Sequence, residues 1–221
     1  IEENSLGCWR IGQAVFRIER LPGEWRLMSE TDPGFPDNET SVDIPFSGSC
    51  ETGKTNVIAR FGTNRAASTV RLMPLLPDRN VVVQSESPLY CLPGQNLTMY
   101  VSSPLWIAIS TGMPSLVMMD RPIVRPSDTW FGPPTAQGEL CYSTTSSGRI
   151  GLDDVVKRPH RAVTVILIRN HTAQPVLMRT MKLPVLHLSL YESEDGNLWT
   201  QPVTVDVNES AEGAEIGFKQ R

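Results

Sequence analysis

The chain has 221 residues, 40% hydrophobic and 20% charged, with a formal net charge of −4. This composition fills a core, which excludes a disordered chain, and it supplies neither a basic field for a nucleic-acid backbone nor an acidic tail. The longest apolar runs, such as VTVILI at 163–168, fall far short of the roughly 20 residues that a bilayer-spanning helix needs, so a soluble protein without membrane or nucleic-acid partners is expected.

The 18 prolines and 16 glycines cut the chain into pieces too short for helices. The opening segment, IEENS, lacks the basic-then-apolar layout of a secretory signal. Next come pieces of period two: Val15, Phe16 and Ile18 in AVFRIER, Trp25 and Leu27 in EWRLM, Val42, Ile44 and Phe46 in SVDIPF, and Leu97, Met99 and Val101 in NLTMYV. Such alternation predicts strands with one buried face. NVVVQ (80–84), PLWIAIS (104–110), RAVTVILIRN (161–170) and VLHLSLYE (185–192) are denser in β-branched and apolar residues and predict central strands. Turns are predicted at Leu-Pro-Gly (21–23 and 92–94), Asp32-Pro33-Gly34, Pro77-Asp78 and Asp195-Gly196-Asn197. Only GLDDVVKRP (151–159) has a helical face, of two turns at most.

These elements predict an all-β fold, an antiparallel β-sandwich of jelly-roll-like or immunoglobulin-like type with at most one or two short helices. One unit over residues 1–221 is the preferred organisation. The alternative divides the chain near PLLPD into an N-terminal β region (1–75) and a core sandwich (76–221).

One motif stands out. GSCETGKT, Gly48 to Thr55, matches the phosphate-loop pattern G-x-x-x-x-G-K-[ST], in which backbone N–H groups and the lysine hold phosphates and the hydroxyl binds magnesium. The mechanism needs a buried parallel strand before the loop and a helix after it. SVDIPFS carries Pro45 and reads as an edge strand, while NVIARF reads as a strand where a helix is required. LVMMD at 116–120, the only candidate for a magnesium-binding strand, has no βαβ pattern around it. Phosphate binding by Lys54 and Thr55 is therefore disfavoured, and a surface turn is the preferred reading.

Other chemistry is sparse. Cys8, Cys50, Cys91 and Cys141 form no C-x-x-C pair and are expected to be reduced, mostly buried thiols of a cytoplasmic protein. The sequons at Asn38, Asn96, Asn170 and Asn208 are read as chance, two of them falling inside predicted strands. His160, His171 and His187 lack the H-x-H spacing of a jelly-roll metal site, so no metal and no cofactor is expected; His187 should be a solvent-facing or hydrogen-bonded strand residue. No G-x-S-x-G elbow is present.

Paired carboxylates remain as the enzyme option, since β-sandwich glycosidases set two of them across a groove lined by aromatics. Asp128, Glu139 and Glu192, with Trp130, Tyr142 and Trp199 close in sequence, are the candidates. Asp128 as a turn cap, Trp130 as core and Glu139 facing solvent are the competing structural roles. Residues 121–142, RPIVRPSDTWFGPPTAQGELCY, concentrate prolines, aromatics and charges, and loops of this kind carry binding residues on β scaffolds. The candidate ligand-binding set is Arg121, Arg125, Asp128, Trp130, Glu139 and Tyr142, with the two arginines engaging an anion or pairing with Asp120 and Asp128.

The runs SDTWFGPPTAQGELCY, RPHRAVTVILIRN and LPVLHLSLYESEDGNLWT resemble a prokaryotic family of uncharacterised all-β proteins, over roughly residues 74–207. The resemblance implies a compact β fold and a cytosolic setting, with no activity or catalytic residue to carry over, and it leaves the phosphate-loop match outside its span. The expectation is a non-enzymatic binding or interaction module for a ligand or protein partner, with homodimerisation through a sheet edge as one form. A carbohydrate-active enzyme with paired carboxylates is the alternative, and phosphate binding through Gly48–Thr55 the second alternative.

Overall fold

The computed structural model describes residues 1–46, 57–63, 68–85, 87–112, 115–134, 137–146, 149–208 and 215–218. Strands β1 (Ser5–Ile11), β2 (Ala14–Leu21), β3 (Glu24–Thr31), β4 (Thr40–Asp43), β5 (Val57–Gly62) and β6 (Val70–Leu75) come first. They are followed by β7 (Val81–Ser85), β8 (Tyr90–Cys91), β9 (Asn96–Pro104), β10 (Trp106–Thr111), β11 (Leu116–Pro122), β12 (Ser127–Phe131) and β13 (Glu139–Ser146). The remainder are β14 (Arg161–Asn170), β15 (Val176–Leu177), β16 (Thr180–Leu183), β17 (Leu190–Glu192), β18 (Leu198–Thr200), β19 (Val203–Val207) and β20 (Glu215–Phe218). The only helical pieces among the described residues are two 3-10 turns, Leu152–Asp154 and Val185–His187. The chain is all-β.

It divides into two compact units. The first takes Ile1–Leu75, Trp106–Val124 and Arg158–His160; the second takes Leu76–Leu105, Arg125–Lys157 and Arg161–Arg221.

The first unit contains an antiparallel sheet in the order β4-β1-β2-β3-β5. The alternation in AVFRIER and EWRLM does what its period requires: Phe16, Ile18, Trp25 and Leu27 are fully buried, with Ile18 directly opposite Leu27. Leu-Pro-Gly makes the β2–β3 turn, where Gly23 takes a positive φ of 75° that a residue with a Cβ rarely adopts. SVDIPF supplies the edge strand that its proline predicts, without the buried face that its alternation predicts. Its strand ends at Asp43 on the sheet edge, with Val42 63% and Ile44 46% exposed. A second antiparallel sheet, β11-β10-β6, puts PLWIAIS at its centre.

The second unit is built on β14, the strand RAVTVILIRN. β9 pairs along one of its edges antiparallel from Arg161↔Pro104 to Arg169↔Asn96, and β18 and β19 pair in parallel along it at Val163↔Trp199 and Ile166↔Val203. Pro202 lies between β18 and β19, where a residue without an N–H interrupts the ladder. A four-stranded sheet, β12-β13-β7-β16, pairs β7 parallel to β13 and antiparallel to β16. These parallel pairs are a departure from a wholly antiparallel fold.

Two predicted elements are corrected. VLHLSLYE forms the 3-10 turn Val185–His187 followed by the short β17, because Val185 and Leu188, three apart, are buried while Leu186 is 53% exposed. The burial period there is three, not two, and His187 is exposed on a turn, not a strand. GLDDVVKRP yields only the turn Leu152–Asp154, with Leu152 and Val156 exposed. An apolar face without a surface to cover does not hold a helix this short.

Two polar side chains fix the second unit. Arg161 donates from Nε to Ser102 Oγ on β9 at 2.7 Å and from Nη2 to Thr144 Oγ1 on β13 at 2.8 Å, joining its two larger sheets. Asn170, 1% exposed at the end of β14, donates to the carbonyls of Cys91 (2.9 Å) and Gln174 (2.8 Å) and accepts from the N–H and O–H of Thr172 (2.9 and 2.8 Å). Both amide hydrogens are committed, so this sequon asparagine is a structural residue. Asn170→Ala is expected to lower unfolding free energy by about 2–4 kcal/mol in urea titration, since it strands several buried partners at once.

Candidate functional site

The β12–β13 ribbon carries most of the candidate residues, and its register sorts them. Asp128 faces Tyr142 and Trp130 faces Leu140, whereas Phe131 faces Glu139 and Thr129 faces Cys141. Because neighbouring strand residues alternate between faces, Asp128 and Glu139 lie on opposite sides of the same sheet. They do not form an acid pair across a bound sugar. Glu192 lies on β17, exposed and paired with Leu198.

On the Asp128 face the charges are matched internally. Asp128 is held between Arg79 Nη1 (3.3 Å) and Arg125 Nη2 (3.2 Å). The Arg79 guanidinium lies 5.3 Å from the centre of the Tyr142 ring, and the buried Tyr142 hydroxyl donates to Asp78 at 2.9 Å. Burial and then this bond to Asp78 raise the tyrosine's pKa, so it stays neutral. Two arginines and two aspartates balance, leaving a structured but electrically closed cluster.

On the opposite face Glu139 accepts from Lys182 Nζ (2.9 Å), Asn80 Nδ2 (3.1 Å) and the Cys141 thiol (3.4 Å). The bonds from Lys182 and Asn80 lower its pKa. A general acid needs the reverse shift. Cys141 is fully buried and its thiol is pushed up to about 11, chiefly by burial and then by the neighbouring carboxylate.

Trp130 is 51% exposed, beside Leu140 at 48%. Its Nε1–H donates to the Pro133 carbonyl at 2.9 Å. A Cβ on residue 138 would come within 2.3 Å of that nitrogen and 2.4 Å of that carbonyl, so only Gly138 lets the indole lie where it does. Trp130 is not core. It is an exposed ring held in one orientation.

Arg121 lies on β11 in the first unit, apart in the chain's organisation from the other candidates. Lys54 and Thr55 lie outside the described residues. Downstream of them, β5 begins at Val57 and pairs antiparallel with β3, and LVMMD is the antiparallel edge strand β11. Among the described residues, neither a helix nor a parallel companion strand accompanies the loop. Nor is any group of three or more described His, Cys, Asp or Glu residues placed to hold a metal. Asp78, Arg79, Asn80 and Lys182 were not singled out from sequence, because Pro77-Asp78 read only as a turn and Lys182 meets Glu139 through strand pairing across the sheet.

This chemistry has two measurable outcomes. Cys141 should resist iodoacetamide at pH 8.5 in the folded protein and react in urea, as counted by mass spectrometry. Glu139 has a lowered folded pKa, so its contribution is present above the ordinary glutamate pKa of about 4.3 and is lost as pH falls through the folded value. Glu139→Gln should therefore be less stable than wild type at pH 7, by about 0.5–1 kcal/mol for a pair this exposed, with the difference closing in acid denaturation series below pH 4.

No curated protein and no solved structure matches the chain. A family model does, described as "Protein of unknown function (DUF432)", and it matches residues 1–221. The match is wider than the 74–207 span of the sequence resemblance, so Gly48–Thr55 falls inside the family region, and its position is no argument against phosphate binding. The chain belongs to this family of unknown function.

Proposed function

We propose that the chain is a binding module whose contact surface is the β12–β13 face bearing Trp130, Leu140 and the Arg79–Asp128–Arg125 cluster. One observation carries the reading: Trp130 is half-exposed, and its only polar group bonds Pro133 within its own loop, in a position that the missing Cβ of Gly138 leaves open. An aromatic plate that loses little freedom on contact, bordered by arginines, is the composition of binding hot spots. The carboxylates that a glycosidase would need are matched by cations and turned to opposite faces, which favours binding over hydrolysis at this surface.

The test uses labelled protein on glycan and peptide arrays, with a broad glycoside panel for turnover. Trp130→Ala should weaken each saturable interaction about thirtyfold, the ~2 kcal/mol of a hot-spot aromatic. Asp128→Asn and Glu139→Gln should change no hydrolysis rate. Binding indifferent to Trp130, or turnover lost in either carboxylate variant, would overturn the proposal.

A further inference from the structure

Five of the eight described arginines of the first unit meet acids, while Arg20 donates to the Ile1 carbonyl and Arg71 is exposed. Arg10 pairs with Asp32, Arg17 with Glu30, Arg26 and Arg60 with Glu24, and Arg158 with Asp37. Arg121 differs. Its Nε is buried without a hydrogen-bond partner, and it forms no ion pair with any described residue. Burial alone lowers its pKa, which is the signature of a cation kept partly from water without compensation. By register Arg121 shares a face with Met119 and Leu116, over the buried Ile107 and Ile109 of β10.

Arg121 also stands on an open edge. β11 ends the sheet β11-β10-β6, with no strand paired to its outer side among the described residues. Leu116 and Val117 on it are 59% and 60% exposed, and its two charged residues, Asp120 and Arg121, lie on opposite faces. A register shift opposite Ile109 and Ser110 breaks the edge into two short stretches, so whatever pairs there is short.

We propose that the β11 edge takes an extended peptide as an added strand, with an acidic side chain of the peptide opposite Arg121 and apolar ones opposite Met119 and Leu116. Opposed residues in a ladder lie on one face about 5 Å apart, so a carboxylate at that position reaches the guanidinium. The neighbouring peptide residue faces Asp120, on the other side of the sheet, and is basic or neutral there. A second copy of β11 does not supply the acid. Twofold pairing sets each residue against one of its own face, and Asp120 lies on the face away from Arg121. This surface is separate in sequence and unit from the Trp130 face, and neither proposal depends on the other.

The probe is a short fluorescein-labelled peptide of alternating valine and threonine with one central glutamate, compared with its glutamine counterpart by anisotropy. Wild type should bind the glutamate peptide at least about tenfold more tightly, the usual worth of a charge-assisted bond. Arg121→Gln should erase that preference, Val117→Lys should weaken both peptides, and Trp130→Ala should change neither. Arg121→Met should melt no lower than wild type, because it removes a charge that no described acid offsets. Absence of saturable binding, a preference that survives Arg121→Gln, a marked loss of melting temperature in Arg121→Met, or a dimer in sedimentation that occludes the peptide would each overturn the proposal.

Discussion

The second unit depends on the backbone of β14. That strand carries a face on which Ala162, Thr164, Ile166, Ile168 and Asn170 are all buried, and in such surroundings every N–H and C=O must find a partner within the protein. β9 meets this demand on one edge, β18 and β19 on the other. The strand ends where a side chain takes over the ladder's role, with Asn170 saturating the carbonyls and donors of the loops around it. Thr164 and Thr200 bond hydroxyl to hydroxyl at 2.8 Å inside the same region, so even the core's polar atoms serve its pairing.

Charge compensation is the second organising constraint. Asp128 answers two arginines, Glu24 answers two, and Glu139 answers a lysine, an amide and a thiol. Asp128 and Glu139, two of the candidate acids along the chain, are the negative members of ion-pair networks. An unmatched group stands out against such a background. Trp130 offers apolar surface on an exposed ring, and Arg121 offers charge that no described residue of its own unit answers; these are surpluses of different kinds on different strands.

Much of the strand content was legible from period and composition. RAVTVILIRN is a strand over its full ten residues, and AVFRIER and EWRLM bury the residues their alternation selects. The misreadings came where alternation was satisfied without a neighbouring layer, as at Val42 and Ile44, or where proline shifted the period, as after Pro184. Parallel pairing was not legible, because it depends on which distant segments meet. The site was legible only as a region. Residues 121–142 hold Trp130, Asp128 and Glu139, but their sorting onto two faces needs the register between β12 and β13, and Arg79, just before β7, and Lys182, on β16, lie 40 or more positions away in sequence from the acids they pair with.

The threading of the chain through its two units bears on synthesis. The first unit draws on Ile1–Leu75 and then waits for Trp106–Val124, made after Leu76–Leu105 of the second unit, and for Arg158–His160, made after Arg125–Lys157 as well. β6 therefore leaves the ribosome before β10, the strand it pairs with. Nascent chains with unpaired edges are the species that aggregate, and long-range pairing closes slowly. Neither unit is a contiguous stretch that proteolysis could release whole, so order of emergence, more than final stability, is where this architecture is exposed.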